Sequence, residues 1–449
     1  MGTLKKQKIM DQYIIILFFL FGVFSPMPVI QIRSYTPYVL LISLVMVLII
    51  GNWIQNCIQN KNNWGREKIL EIRKMIDKKF ILVLVSMFIS YGMCIWKMPS
   101  SWKSGWATSM ILTIMMVIVY CFWVSKDGRS SARAFIHGIY ISSVIQMVWG
   151  YGQYILYYMC KFDINNAIFR DLLYMVEEAS QLQFEKLKVS GLCWNAGNLC
   201  PLVLFGFVYS DNKIVKLGFI ILSFISGSRT MELGMLMCIG LTALIYCIKF
   251  IKRKKIDVRF KQAVKNSKVV CLLKEQKTRN LTIAIIVLIA GIVICGMFMG
   301  VYQVFLTLQR KWGDASGVQH MYYYTTIPEI FEKNSILHNL FGFGPGCSGY
   351  PLASIFNIYN EGGRWTVESD YVNRLWSYGG IGFVIYYIWY ISNVIKCSKK
   401  DWKYIVLFGT FLFQGIFYNI IFNWVELLII ALFITKKRLH FKSTLKREK

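Results

Sequence analysis

Acidic residues are scarce in this chain: 23 Asp and Glu stand against 51 Lys and Arg in 449 residues, a formal charge of +28. A soluble nucleic-acid binder could carry that surplus. It would not also be 56% hydrophobic and 16% aromatic, with a mean hydropathy of +0.47. The same composition excludes a disordered basic tail. The 12 cysteines are scattered, mostly within apolar runs, and none has the C-x-x-C spacing of a metal or redox site. No internal repeat is visible, which weakens the case for a transporter built from duplicated halves. No D-x-D run in a polar domain suggests a nucleotide-sugar metal site. No small-x-small cleavage site follows the first apolar run, only Ser25-Pro26-Met27-Pro28, so 1–31 reads as a retained helix.

What is present is apolar sequence in long runs. About 20 apolar residues cross a bilayer core of roughly 30 Å. Such runs lie near 11–31, 37–58, 80–97, 105–125, 134–160, 196–210, 214–228, 230–250, 281–307, 375–395, 403–418 and 420–435. The last two form one stretch, which the polar Asn419, Asn423 and Glu426 divide. The pair around 196–228 is the shortest, parted only by Asp211-Asn212-Lys213. The expectation is an all-α polytopic membrane protein of about twelve helices. Residues 1–307 hold nine of them with a basic loop at 249–280. A large external loop spans 308–374, and 375–449 holds three more helices and a basic tail.

Sidedness follows from Lys and Arg, which accumulate in cytoplasmic segments. With the N-terminus inside, the segments 1–10, 59–79, 126–133, 211–216, 249–280, 396–403 and 436–449 collect 38 basic residues. The outer loops and outer helix ends hold 13 basic against 13 acidic residues. The net charge is therefore topological, with both termini cytoplasmic. A nucleic-acid site is not implied.

The 67-residue external loop 308–374 is far too long to lack structure. It should carry short helices near 321–333 and 350–358. The external segment 161–194 should lie partly along the membrane interface. Four constellations could carry chemistry. Ser226-Gly227-Ser228-Arg229-Thr230 places an arginine and backbone donors at a helix start at membrane depth, which suits an anion. The plainer reading is an ion pair between Arg229 and Glu232. Gln309-Arg310-Lys311-Trp312-Gly313-Asp314 through His320 offers cations and an aromatic platform. Trp is nevertheless common at interfaces. Gly342, Gly344 and Gly346 in Leu340–Gly346 form either a phosphate cradle or a plain turn. Glu368-Ser369-Asp370-Tyr371-Val372-Asn373-Arg374 clusters two carboxylates and an arginine at the outer surface. Asp370 and Arg374 have the i,i+4 spacing of a helix pair. A partly desolvated Glu368 could take a proton from a sugar hydroxyl.

In this order the motifs resemble the O-antigen polymerase and O-antigen ligase superfamily of bacterial cell-surface polysaccharide synthesis. The resemblance runs from Val189-Ser190-Gly191-Leu192, Asn195 and Asn198 through S-G-S-R-T and W-G-D-x-S-G. It continues through the G-x-G-x-G turn and E-S-D-Y to Gly379-Gly380-Ile381-Gly382. It implies a C-type glycosyltransferase fold and a metal-independent, cofactor-free transferase in the bacterial plasma membrane. The implied substrates are polyprenyl diphosphate-linked oligosaccharides at the outer face, beside membrane lipid. A chain-length regulator and a flippase would be the protein partners. Arg229 matches the arginine associated with the donor diphosphate. His320 stands where many members have a second arginine, a departure that Arg310 could compensate. Glu368 stands where ligases typically have histidine, which resembles the polymerase branch. The expected catalytic residues are Arg229, Glu368 and His320. Arg310, Gly342, Gly344, Gly346, Asp370 and Arg374 are expected to bind substrate. A ligase of the same superfamily and a lipid-linked oligosaccharide flippase are the rival readings.

Overall fold

The computed structural model describes residues 2–32, 35–59, 63–95, 103–177, 179–183, 186–193, 195–253, 327–344, 369–416, 418–419, 421 and 423–435. The expected span 281–307, most of the basic loop 249–280, the expected helix near 350–358, and Arg310, His320, Gly346 and Glu368 lie outside them. Met1–Ile239 with Ile327–Lys449 form one compact unit; Gly240–Thr326 form a second, described only through residue 253.

The chain is almost entirely helical, an architecture compatible with an all-α membrane protein. Its helices are α1 (Gly2–Phe24), α2 (Pro37–Gln59), α3 (Asn63–Met75), α4 (Lys78–Ile95), α5 (Lys103–Val124), α6 (Arg129–Cys160), α7 (Ala196–Tyr209), α8 (Lys213–Ile225), α9 (Arg229–Arg253), α10 (Ile327–Lys333), α11 (Ile336–Phe341), α12 (Asp370–Ser398), α13 (Lys403–Gln414) and α14 (Asn423–Thr435). Among the described residues, four are long and apolar enough to cross a membrane: Pro37–Ile58, Trp106–Val124, Arg229–Cys247 and Asp370–Ser398. Four shorter apolar helices accompany them, among them Ala196–Tyr209, Lys403–Gln414 and Trp424–Thr435. At 1.5 Å per residue these three reach only about 20 Å. α7 is buried on every side, as expected of a helix that is apolar all round. It starts where Asn195 accepts the Asn198 N–H (2.7 Å), and α8 starts where Asn212 accepts from Ile214 (2.8 Å). The short pair of helices expected around 196–228 is present, divided at the polar trio 211–213. The stretch 403–435 is also divided, at 415–422.

Close packing depends on glycine where α1 crosses α6. A Cβ on Gly22 would meet Phe135 O at 2.3 Å, and one on Gly138 would meet Phe19 O at 2.2 Å. Small residues let membrane helices approach this closely.

Polar contacts sort the loops into two sets. At one end Lys68 meets Asp127 (2.6 Å), Lys126 N–H donates to Glu71 (2.9 Å), Asn393 donates to Asp77 (3.1 Å) and Lys403 meets Asp211 (3.1 Å). At the other, Cys193 donates to Pro26 O (3.2 Å), Val189 N–H to Ser226 O (3.0 Å) and Gln414 to Thr230 O (2.8 Å). Each contact joins segments that the charge pattern puts on the same side.

α3 was expected only as a basic loop. It is amphipathic, with Ile69 67% and Leu70 45% exposed beside Arg73 and Lys74, the composition of an interface-lying helix. Burial opposes the charge on Lys68, but hydrogen bonds to Asp127 and Glu71 outweigh it and raise its pKa. Burial likewise opposes the charge on Glu71, and the Lys126 N–H and Lys68 outweigh that, lowering its pKa. The Glu71 contribution is full above the ordinary glutamate value and disappears as pH falls through the lowered one. The Lys68 contribution disappears only as pH rises through its raised pKa. Lys68→Gln should cost at most about 1 kcal/mol after solvent screening, and acid should remove part of the difference. Thermal unfolding in detergent at pH 7 and pH 3.5 would check this; a Lys68→Gln penalty undiminished at the lower pH would refute it.

The segment 161–194 departs from the all-helical expectation. It holds a π-helical turn (Asn166–Leu172) and an antiparallel hairpin, β1 (Gln181–Gln183) with β2 (Lys186–Lys188), paired Gln181 to Lys188. Phe169, Ala179 and Leu192 pack with Val23 in the last turn of α1 and with Met27 and Val29 beyond it.

Candidate functional site

The turn between α8 and α9 is built for a helix start. Gly227 has φ +67°, a left-handed conformation that glycine adopts without strain. Ser226 Oγ accepts the Ser228 N–H (3.2 Å) and Ser228 Oγ accepts that of Met231 (3.4 Å). This leaves Arg229 exposed on the first turn of α9, with Glu232 partly buried three residues on and within its electrostatic reach. The ion-pair reading and the anion reading of Arg229 are thus compatible.

The neighbouring Val189–Leu192 segment is held by amides from α6. Gln153 Oε1 accepts the Ser190 (3.2 Å) and Gly191 (3.1 Å) N–H groups, and Gln146 Oε1 accepts that of Leu192 (2.5 Å). Buried Asn165 donates to Gly191 O (2.7 Å) and to Ala179 O (3.2 Å). These glutamines had no part in the sequence reading. Their spacing of seven along one helix is a face that could have been noticed.

The break between α13 and α14 joins the ends of five helices. Gln414 donates to Thr230 O at the start of α9 (2.8 Å), and Tyr418 OH donates to Asn195 at the start of α7 (3.0 Å). From α12, Asp370 N–H donates to Gly415 O (2.9 Å), and Ser369 Oγ donates to the same carbonyl (3.1 Å). In return, the Asp370 carboxylate accepts the Ile421 N–H (3.0 Å). A single irregular loop therefore links the Arg229 turn, the Asn195–Asn198 motif and the Ser369–Arg374 motif.

The expected Asp370–Arg374 pair does not form. Asp370 turns to the backbone of the break. Arg374, 5% exposed, points to Glu426 at the start of α14 (3.6 Å). Its guanidinium stacks on Tyr386 (3.8 Å to the ring centre) and donates to Ile421 O (3.3 Å). The physical reason is the backbone of the break: a buried N–H left unpaired is costly, and the Asp370 carboxylate is taken up by that of Ile421 while Glu426 serves the arginine. Glu426 was noticed only as a helix breaker.

The glycine turn docks on protein. α12 breaks at Gly379 (φ +67°, ψ 179°), which frees carbonyls of its first segment. Phe343 N–H donates to Trp376 O (2.8 Å) and Gly344 N–H to Ser377 O (2.9 Å). A Cβ on Gly342 would lie 2.4 Å from Gly379 N. Of the two readings left open for this motif, the structure places Gly342 and Gly344 in the turn. Whether Gly346 joins them falls outside the described residues.

The structure thus brings Arg229, Asp370 and Arg374 to one loop and sets Gly342 and Gly344 against the middle of α12. Arg310, His320 and Glu368 are not described. Among the described residues no group of three metal-ligating side chains occurs. No protein-family model matches the chain, and no curated protein is similar to it.

Proposed function

We propose that the chain is a polymerase of polyprenyl diphosphate-linked oligosaccharide repeat units, working at the outer face of a bacterial plasma membrane with both termini cytoplasmic. The observation that carries the reading is the loop 414–421. It ties the exposed Arg229 to the polar start of α12 at the end of the molecule where positive charge is not in excess.

In this reading Arg229 faces the diphosphate of the donor, and its fixed charge stabilises the negative charge that develops on the leaving group. Backbone donors at the start of α9 add to that field. The resemblance assigns Arg310 and His320 to diphosphate binding and gives Glu368 the proton of the attacking sugar hydroxyl. The growing glycan passes to the non-reducing sugar of the next lipid-linked unit, and polyprenyl diphosphate is released. A flippase supplies the outward-facing donor, and a regulator sets the chain length.

The test uses purified protein and a synthetic lipid-linked repeat unit. A ladder of longer lipid-linked glycans, insensitive to chelator, is the expected product. Arg229→Ala should lower the rate about 100-fold or more, the scale of one lost charge-stabilising donor. A wild-type protein that makes no ladder and transfers only to another acceptor would replace the polymerase reading with a ligase.

A further inference from the structure

The Arg374–Glu426 pair is oddly made for a structural bridge. Charge-assisted contacts between arginine and carboxylate close to about 2.7–2.9 Å and are often two-pronged. Here one contact spans 3.6 Å. Among the described residues Glu426 accepts no hydrogen bond, although an ionised carboxylate has about four acceptor positions. Its side chain keeps 16% of its surface exposed, against 6% for Arg374. Beside it, Arg374 Nε and the Tyr386 hydroxyl are buried and without a partner among the described residues. Arg374 itself is clamped by the Tyr386 face, Tyr378 OH (3.5 Å) and Ile421 O (3.3 Å). A fixed arginine thus compensates the charge of a carboxylate that, among the described residues, has spare acceptor capacity at the start of α14.

We propose that Glu426 is a binding residue for the acceptor sugar, taking two ring hydroxyls of the non-reducing residue on its free lone pairs. The chemistry selects this ligand class. The pair is neutral as a unit, so an anion such as the donor diphosphate gains nothing there and is repelled by the nearer carboxylate. A cation would compete with Arg374. A neutral polyol supplies the hydroxyl donors that the carboxylate lacks. The position fits as well, because Arg374 holds Glu426 to α12, whose Asp370 bonds Ile421 and Gly415 of the stretch that begins at Gln414, the partner of Thr230 in the Arg229 turn. Donor and acceptor would then meet at the two ends of that loop. This inference rests on the polymerase reading and adds the acceptor subsite to it.

The experiment uses the full-length protein in detergent with two separable substrates. The donor is a lipid diphosphate-linked repeat whose own acceptor hydroxyl is blocked. The acceptor is the repeat glycan on a short alkyl chain without diphosphate. Glu426→Gln should raise the acceptor KM about tenfold or more, the scale of a hydrogen bond to a charged group, and leave the donor KM within about twofold. Glu426→Asp, which keeps the charge and shortens the reach, should give an intermediate acceptor KM and serves if the glutamine variant does not fold. A merely structural bridge would move both constants together or neither. If wild type transfers glycan and both variants keep the wild-type acceptor KM, the subsite is refuted while the polymerase reading stands. If wild type transfers nothing from the diphosphate donor, the polymerase reading fails and takes the subsite with it.

Discussion

Arg374→Met is expected to cost about 3–5 kcal/mol of stability, because it strips the partner from a carboxylate held among apolar helix ends. The guanidinium also fills the space over Tyr386 and ties α12 to Ile421 O, so packing and a hydrogen bond go with the charge. Thermal unfolding in a mild detergent would measure the loss. The companion Arg374→Met/Glu426→Leu protein removes both charges and should recover most of the stability, since a buried pair can be replaced by apolar side chains at little cost. It should not recover acceptor binding, which separates the structural part of this pair from the chemical one. An Arg374→Met protein as stable as wild type would mean that the pair is not buried in the folded membrane protein.

Gly379→Ala is the second large effect. The backbone there has φ +67° and ψ 179°, a region that costs a side-chain-bearing residue about 1–3 kcal/mol. The new methyl would also lie 2.4 Å from Gly342 N and Leu340 O, which are backbone atoms with little freedom to retreat. Separating the chains would break the Phe343–Trp376 and Gly344–Ser377 hydrogen bonds, each worth about 1 kcal/mol. A loss on the order of 3–5 kcal/mol is expected from these terms together. Amide exchange at Phe343 and Gly344 should accelerate with it. The neighbour Gly380→Ala is the control, because its Cβ would meet only Asn339 O at an ordinary 3.6 Å. Equal stability of the two alanine proteins would refute the account of the break.

Much of the architecture is legible in the sequence. Apolar runs locate helices because, in lipid, backbone polar groups must be satisfied within the chain and the side chains must suit hydrocarbon. Runs with polar interruptions were harder, yet Asp211-Asn212-Lys213 does part α7 from α8 and Asn419 lies between α13 and α14, while Asn423 and Glu426 belong to the first turn of α14. The hairpin at 181–188 was not legible, because three-residue strands have no pattern long enough to read. Nor was the amphipathic α3, whose basic residues counted toward sidedness and concealed its apolar face.

The site was legible in its residue types and not in its pairings. Arg229, Asp370 and Arg374 were identified as charges at outer helix ends, and they occupy one connected loop system. The natural local pairing of Asp370 with Arg374 was superseded by Ile421 and Glu426, which are 51 and 52 residues further along. The glycines of Leu340–Gly344 were read as an approach to a ligand or a turn. The close approach is to another backbone, that of Gly379.

The sequence by itself determined the run of apolar helices, the division of the loops into two sets and the balance of charge, thirteen against thirteen, in one of those sets. Each of these is a sum over many residues, or depends on neighbours a few positions apart. Tertiary structure alone decided which charge meets which, where α12 breaks and what the glycines touch. Those outcomes depend on helices separated in sequence and brought within hydrogen-bond distance, where a buried polar group takes whichever partner lies nearest in space. The opening deficit of acid takes on a sharper meaning: 13 of the 23 carboxylates fall on the side that the charge pattern leaves balanced, and one of them, Glu426, is held by an arginine and accepts no hydrogen bond among the described residues.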